Sequence, residues 1–158
     1  EYRKVNPMGQ VPALVIDAMT LTQSVAIMEY LHDTHPDAGL LPTNPKERAK
    51  VRMITEVIAS GTQPIQVNNK PYINIEYLYI QPSKQKNISE PISDAPAPSD
   101  PEEKSAWSRH WITEGFKALE ILLASPAGKC CMGDTPTMAD CCLVPQVKIE
   151  NEVATIYL

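Results

Sequence analysis

A short apolar run, a turn and a second short run follow one another near the start of the chain. Residues 12–16 are continuously apolar, which is typical of a short buried strand. Residues 17–19 have turn character, and residues 20–22 can form a return strand. The pattern therefore predicts a small β-hairpin.

From Ser24 onwards the apolar residues recur with helical spacing. Ser24 can act as the N-cap of this first helix, whose apolar side consists of Val25, Ile27, Met28 and Leu31. The helix should end before Pro36, because a residue that precedes proline avoids the helical conformation. Glycine and proline then recur, so residues 37–45 are expected to form a linker.

Three further helices are predicted, one from Lys46 to about Pro64, one over residues 102–124 and one from Thr137. Thr137 and Asp140 fit a capping box at the start of the last helix, with Asp in place of the usual Glu or Gln. The expected buried positions are Ala49, Val51, Met53, Ile54, Val57 and Ile58 in the second helix, and Trp107, Trp111, Ile112, Phe116, Leu119, Ile121, Leu122 and Leu123 in the third.

Residues 67–101 interrupt this helical rhythm. The stretch is first rich in tyrosine and then in proline, serine and aspartate. Such a composition buries too little apolar surface to offset the entropy of ordering, and a structureless loop of this length is uncommon inside a compact domain. We therefore expect a disordered insert within the helical region.

The overall composition excludes several classes of function. A net charge of -5 argues against a nucleic-acid partner, since phosphate binding needs a basic surface. No apolar run reaches the roughly 18 residues of a membrane span, and no secretory signal follows Glu1. The four cysteines form two adjacent pairs without the spacing of a zinc site, so no metal is expected. Reduced thiols in a cytoplasmic protein are the simplest interpretation.

One motif points to a ligand. Residues 6–12 read Asn-Pro-Met-Gly-Gln-Val-Pro, and the pair Gln23-Ser24 follows eleven residues later. This arrangement resembles the second half of the thioredoxin-like domain of glutathione transferases. In that family the Val-Pro bond, here Val11–Pro12, is cis, and the valine backbone pairs with the cysteinyl unit of glutathione as an added strand would. The resemblance also implies that Gln23 and Ser24 bind the γ-glutamyl carboxylate at the positive end of a helix.

Two later blocks are similar to the zeta class of this family. Residues 63–66, Gln-Pro-Ile-Gln, resemble the segment in which a glutamine, here Gln63, contacts glutathione. Residues 133–147 contain the zeta-class form of the helix-capping motif, in which Thr137 and Asp140 have a structural role. The resemblance therefore assigns glutathione contacts to Gln63 and no chemistry to the capping residues.

The resemblance implies an α+β fold that is mainly helical. A partial thioredoxin-like domain over residues 1–36 would bind glutathione, and an all-α domain would follow the linker over residues 46–158. The motifs that carry the resemblance lie within residues 1–66 and 102–147, and the order of the family is not continued after Val147. Members of the family form two-fold dimers, so a homodimer is expected.

The zeta class includes maleylacetoacetate isomerase, which uses glutathione as a cofactor in tyrosine and phenylalanine breakdown. The glutathione thiolate adds to the conjugated double bond of this small organic acid, the bond rotates, and the thiolate leaves as fumarylacetoacetate forms. In the family a Ser-rich turn stabilises the thiolate, and it belongs to a segment that would precede Glu1. The expectation is that this chain binds glutathione, contains no catalytic residue and is inactive by itself.

Three other interpretations remain, one of which is that the sequence is the non-functional product of a mis-predicted or degraded gene. The chain can be a non-catalytic binding module, as glutathione-transferase-like domains are in translation factors and aminoacyl-tRNA synthetases. Retention on glutathione resin together with an isomerase assay would distinguish this module from an enzyme. Alternatively, one of the cysteines acts as a nucleophile, although all four lie around the capping motif and away from the expected glutathione site.

Overall fold

The computed structural model describes residues 1–64 and 101–156. Most of the expected insert, residues 67–100, therefore lies outside the described part. The described elements confirm an α+β fold that is mainly helical. Within this part of the chain, no helix combines the length and the apolar character that a bilayer span requires.

The described elements are two strands, four α-helices, a π-helical segment and two short 3-10 helices. In chain order they are a 3-10 helix (Tyr2–Lys4), β1 (Ala13–Ile16), β2 (Met19–Thr22), α1 (Ser24–Thr34), a 3-10 helix (Pro36–Ala38), α2 (Pro45–Glu56), the π-helical segment (Val57–Thr62), α3 (Pro101–Leu123) and α4 (Met138–Ile156).

The chain divides into two compact units. The hairpin unit comprises Glu1–Thr55 and Ser125–Val144, and the helical unit comprises the described residues among 56–124 and 145–156. Of the three boundaries between the units, those after Thr55 and after Val144 fall inside α2 and α4, and the one after Ala124 follows the end of α3. The expected division into a thioredoxin-like and an all-α domain follows other boundaries and stays a prediction from the resemblance.

β1 and β2 form an antiparallel hairpin in which Ala13 pairs with Thr22 and Ile16 pairs with Met19. The two residues between the strands, Asp17 and Ala18, have φ values of 48° and 60°. Positive φ at both central residues is typical of a type I′ turn, whose twist matches that of the strands it joins. The predicted hairpin is confirmed.

α1 begins at Ser24 itself, so the prediction of Ser24 as the N-cap is wrong. The N-cap is Gln23, with φ 73° and ψ 119°, and among the described residues no side chain forms a capping hydrogen bond. Ile27 is buried in the core of the hairpin unit, and the helix ends at Thr34, before Pro36, as expected. The hydroxyl of Ser24 is therefore not used to cap its own helix.

α2 begins with Pro45, and the side chain of Asn44 accepts hydrogen bonds from backbone N–H groups of its first turn. The buried residues of α2 are Val51, Ile54 and Thr55. Ala49 and Met53 are exposed, contrary to expectation. Neither lies at the i, i+3, i+4 spacing that starts at Val51, so both side chains fall outside the buried stripe.

α2 is followed by the π-helical segment Val57–Thr62, which the apolar periodicity did not predict. The N–H of Gln63 bonds to a carbonyl five residues back, and the Thr62 hydroxyl donates to the Val57 carbonyl at 3.1 Å. Thr62 is buried against Gly115 of α3, where an added Cβ would lie 2.6 Å from the Thr62 hydroxyl oxygen. Glycine at this position therefore allows the close approach of α3 to the π-helical segment.

α3 spans Pro101–Leu123, within one residue of the predicted helix at each end. Leu119 is buried, but Ile121, which was expected in the buried stripe, is 77% exposed. Two steps along a helix turn a side chain by roughly 200°, so Ile121 faces away from Leu119. Leu122 lies three residues after Leu119 and is half-buried, as helical spacing requires.

α4 spans Met138–Ile156 and is anchored at its start by Asp140. Asp140 Oδ2 accepts hydrogen bonds from the backbone N–H of Thr137 at 2.8 Å and from the Thr137 hydroxyl at 2.9 Å. Asp140 Oδ1 accepts a third bond from the Cys131 N–H at 2.8 Å, so one carboxylate ties the preceding loop to the helix. α4 continues beyond Val147, the point at which the order of the family motifs ends.

Candidate functional site

The end of the hairpin that carries Val11 and Pro12 is open. The Val11–Pro12 bond is cis, as expected. Val11 is 84% exposed, and its backbone takes no hydrogen-bond partner from the part of the chain that the structure describes. An exposed backbone N–H and C=O are the groups to which a peptide adds as a strand. The Val11 backbone is therefore available to a peptide-like ligand.

The loop that leads to Val11 is held by two side chains. Asn6, only 2% exposed, accepts a hydrogen bond from the Met8 N–H at 3.0 Å and donates one to the Gln10 carbonyl. The Tyr2 hydroxyl donates to the same carbonyl at 2.9 Å. The sequence interpretation missed both contacts, although the Asn-Pro dipeptide is a known signal for the start of a turn.

The first turn of α1 forms the second part of the candidate site. Gln23 has a φ of 73°, which strains the backbone of a residue that carries a Cβ. Strained backbone conformations of this kind are frequent at ligand sites. The first turn contains no acidic residue, and no side chain of the described residues caps it. Unpaired N–H groups and the helix dipole favour an anion at such a position. The half-buried Ser24 can add its hydroxyl as a further donor.

The register of the hairpin brings these two parts together. Because Ala13 pairs with Thr22, Pro12 and Gln23 leave the hairpin at the same end. Residues that face each other in an antiparallel pair lie roughly 5 Å apart. The Val11 backbone and the amino terminus of α1 are therefore neighbours, and together they suit a ligand with a peptide unit next to a carboxylate.

Gln63, the remaining predicted contact, belongs to the helical unit. It follows the π-helical segment directly and is exposed. Its backbone N–H is used within the π turn, which leaves the side-chain amide for other partners. π-helical turns are frequent at functional sites. The role of Gln63 in binding stays a prediction.

The sequence matches known proteins over most of its length. Residues 1–33 match the family model described as the N-terminal domain of glutathione S-transferase. The chain is 49% identical over 147 residues to probable maleylacetoacetate isomerase 2 of Drosophila melanogaster. The aligned residues make up 93% of this chain and 54% of the Drosophila protein. A span of 147 residues includes part of residues 67–101, so the similarity extends further than its motifs indicated.

Solved structures show the same relationship. The holo structure of a zeta-class maleyl pyruvate isomerase, a bacterial glutathione S-transferase, matches with a TM-score of 0.72 and 35% identity, over 96% of this chain and 63% of that one. A maleylacetoacetate isomerase from Anaeromyxobacter dehalogenans, with glutathione bound in its active site, matches with a TM-score of 0.65 and 34% identity, over 94% of this chain and 61% of that one.

Over the span that it covers, the chain is similar to maleylacetoacetate isomerases and to a zeta-class glutathione S-transferase. It spans 54% of the length of the Drosophila protein and 63% of the zeta-class maleyl pyruvate isomerase. The hairpin, its cis Val11–Pro12 bond and all of α1 except its last residue lie within the part that matches the family model.

Asp140 is suited to a structural role. Burial raises the pKa of Asp140, but hydrogen bonds from Cys131 and Thr137, through both backbone and side chains, outweigh burial and hold the pKa below its ordinary value. The carboxylate is therefore ionised at neutral pH, and its oxygens are already occupied by donors. Such a group anchors a helix and does not act as a base.

Three of the four thiols, those of Cys130, Cys131 and Cys141, are poor nucleophiles. Burial, with a hydrogen bond to Asp140 as the next cause, raises the pKa of Cys131 to about 12. Burial, followed by the charge of Asp140, also raises the pKa of Cys130 and of Cys141. Because the thiolate is the reactive form, raised pKa values make these three thiols unreactive near neutral pH. Among residues 1–64 and 101–156, no cluster of His, Cys, Asp and Glu could hold a metal ion.

Proposed function

We propose that this protein binds glutathione at the open end of the hairpin and uses it to convert maleylacetoacetate to fumarylacetoacetate. One observation carries the proposal: the exposed backbone of Val11 and the uncapped amino terminus of α1 meet at one end of a single hairpin. The name of the Drosophila relative and the glutathione in the Anaeromyxobacter structure support the choice of reaction and cofactor.

Glutathione has the two groups that this end of the hairpin suits. Its cysteinyl unit would pair with the N–H and C=O of Val11 as a short added strand. Its γ-glutamyl carboxylate would accept hydrogen bonds from the first turn of α1, where the dipole favours an anion and the Ser24 hydroxyl adds a donor. Gln23 and Gln63 complete the proposed contacts, the latter on the resemblance alone.

In the proposed reaction the nucleophile is the sulfur of glutathione. The thiolate adds to the conjugated double bond of the acid, which becomes a single bond and rotates; the carbon–sulfur bond then breaks and the trans double bond forms. The raised pKa values of Cys130, Cys131 and Cys141 support assigning this role to the cofactor and not to a protein thiol. In this proposal the described residues orient glutathione. For residues 1–158 alone, we predict that glutathione binds and that maleylacetoacetate is not converted.

The proposal extends to assembly and location. A homodimer is proposed because the zeta-class resemblance implies one. The cytoplasm is proposed because Cys130, Cys131 and Cys141 lie outside any disulfide, as expected in a reducing compartment.

Calorimetric titration with glutathione tests the binding step. Ser24→Ala removes a donor to the proposed carboxylate and should weaken binding about 10- to 100-fold, since hydrogen bonds to charged groups are worth roughly 1.5–3 kcal/mol. Thr34→Ala is the matched control, because it removes a hydroxyl from the opposite end of the same helix and should leave the affinity unchanged.

A parallel assay follows the isomerisation of maleylacetoacetate with and without glutathione. Binding that depends on Ser24 without any turnover is the result expected for residues 1–158 alone, and turnover that needs glutathione would overturn that expectation. Absence of binding, or equal binding by wild type and Ser24→Ala, would overturn the proposed site. Turnover that does not need glutathione would overturn the proposed chemistry.

A further inference from the structure

The carbonyl of Gln10 is held by two donors. The Nδ2 of Asn6 and the hydroxyl of Tyr2 both donate to it. The orientation of the Asn6 amide is dictated by its partners, because its oxygen must face the Met8 N–H and its nitrogen must face the Gln10 carbonyl. Asn6 is almost completely buried, so this clamp is part of the folded loop.

The clamp has a geometric consequence for the next residue. The Gln10 carbonyl and the Val11 N–H belong to one peptide unit, and this unit is trans. In a planar trans peptide the carbonyl and the N–H point in opposite directions. Fixing the carbonyl towards Asn6 and Tyr2 therefore fixes the Val11 N–H towards the other side, where the chain provides no acceptor within the described residues.

We infer that Asn6, assisted by Tyr2, is a positioning residue that aims the Val11 N–H at the cysteinyl carbonyl of glutathione. The inference rests on the proposed function. Neither side chain needs to touch the cofactor, because both act through the Gln10–Val11 peptide. Without the clamp this peptide can rotate, and the Val11 N–H is no longer held in the direction of the cysteinyl carbonyl.

The test compares two ligands that differ at the relevant carbonyl. Glutathione contains the cysteinyl carbonyl, whereas γ-glutamylcysteamine keeps the γ-glutamyl carboxylate, the first amide and the thiol but lacks that carbonyl. We expect Asn6→Ala and Tyr2→Phe to weaken the binding of glutathione about 3- to 10-fold, the range for one neutral hydrogen bond. The affinity for γ-glutamylcysteamine should stay unchanged in both variants.

Two matched substitutions control for general effects. Asn44→Ala removes an asparagine that caps α2, and Tyr30→Phe removes a hydroxyl that is not bonded to Gln10. Both should leave the affinities for the two ligands unchanged. Ser24→Ala should weaken the binding of both ligands by the same factor, because both carry the γ-glutamyl carboxylate.

The outcomes separate the positioning role from the proposed function. If wild type binds neither ligand, the proposed function fails. Two results would overturn the positioning role when wild type binds glutathione. In the first, the Asn6 and Tyr2 variants bind both ligands more weakly by the same factor. In the second, they bind both ligands as tightly as wild type does. If Asn6→Ala does not fold by circular dichroism, Tyr2→Phe decides the question, since Tyr2 is exposed and its ring is retained.

Discussion

Gln23 has an unfavourable backbone conformation for a residue with a side chain. A φ of 73° brings the Cβ against its own backbone, a conformation that costs about 1–3 kcal/mol. Gln23→Gly should therefore raise the free energy of unfolding by about 1 kcal/mol, part of the gain being offset by the flexible unfolded chain. The same change should weaken glutathione binding, because it removes a proposed contact. Urea unfolding and calorimetric titration measure the two effects.

Ala18 provides the control for this prediction. It also has a positive φ, 60°, but in the turn of the hairpin, where Asp-Gly is the favoured pair. Ala18→Gly should stabilise the fold by a similar amount and leave glutathione affinity unchanged. A loss of stability in Gln23→Gly alone would show that the conformation at the start of α1 is not strained.

The contact between α3 and the π-helical segment depends on the absence of one side chain. In Gly115→Ala the new Cβ would lie 2.6 Å from the Thr62 hydroxyl oxygen. Thr62 is buried and bonded to the Val57 carbonyl, so it cannot easily move away. Overpacking costs about 1–3 kcal/mol, which should exceed the gain in helix propensity and lower the free energy of unfolding.

Two further variants identify the cause of this loss. Gly61→Ala meets no atom closer than 3.9 Å and should not destabilise the helix. In the background of Thr62→Ala, the cost of Gly115→Ala should shrink, because the clashing hydroxyl is gone. An unchanged cost in that background, measured by urea unfolding, would place the strain elsewhere.

The ends of the elements could be predicted where local chemistry marks them. Pro36 and Thr137 mark helix ends through backbone rules that hold in any fold, and the structure follows them. The π-helical segment was missed because periodicity averages over several turns and does not detect a single widened turn. Ile121 was predicted to be buried because it is apolar, and its angular position around the helix relative to Leu119 was not considered.

The candidate site was predictable in part. The Val11–Pro12 and Gln23–Ser24 pairs were identified from the resemblance to glutathione transferases, and the register of the hairpin brings the two pairs to one end. The Asn6 clamp was not identified, because its bonds depend on the path of a loop without periodicity. The N-cap was assigned to Ser24, since serine is a common cap and the backbone of Gln23 is not visible in a sequence.

The stability of the whole chain should depend on pH through Asp140. The pKa of Asp140 in the fold lies below its ordinary value of 3.8. A carboxyl group whose pKa is lowered by folding stabilises the fold at pH values above its ordinary pKa. This contribution is lost as the pH falls through the pKa of the folded state. The free energy of unfolding should therefore decrease from about pH 4 downward.

Asp140→Asn tests this dependence. It should lower the free energy of unfolding at pH 7 by about 1–2 kcal/mol, the usual cost of losing a helix cap. The decrease below about pH 4 should become shallower than in wild type. Asp33→Asn changes an exposed carboxylate on α1 and should keep the wild-type slope. Urea midpoints at several acidic pH values decide, and an unchanged slope in Asp140→Asn would contradict the prediction.

The widened turn over Val57–Thr62 has a consequence for the length of the chain. Because a π turn holds one residue more than an α turn, it can absorb an insertion without rotating the helix on either side. Deleting Gly61 should therefore turn the segment into ordinary α-helix and leave Ile58 and Gln63 on their present faces. Deleting Lys50 within α2 should instead rotate the buried residues that follow by about 100° and abolish cooperative thermal unfolding. The two deletions remove one residue each, and only the first should yield a folded protein.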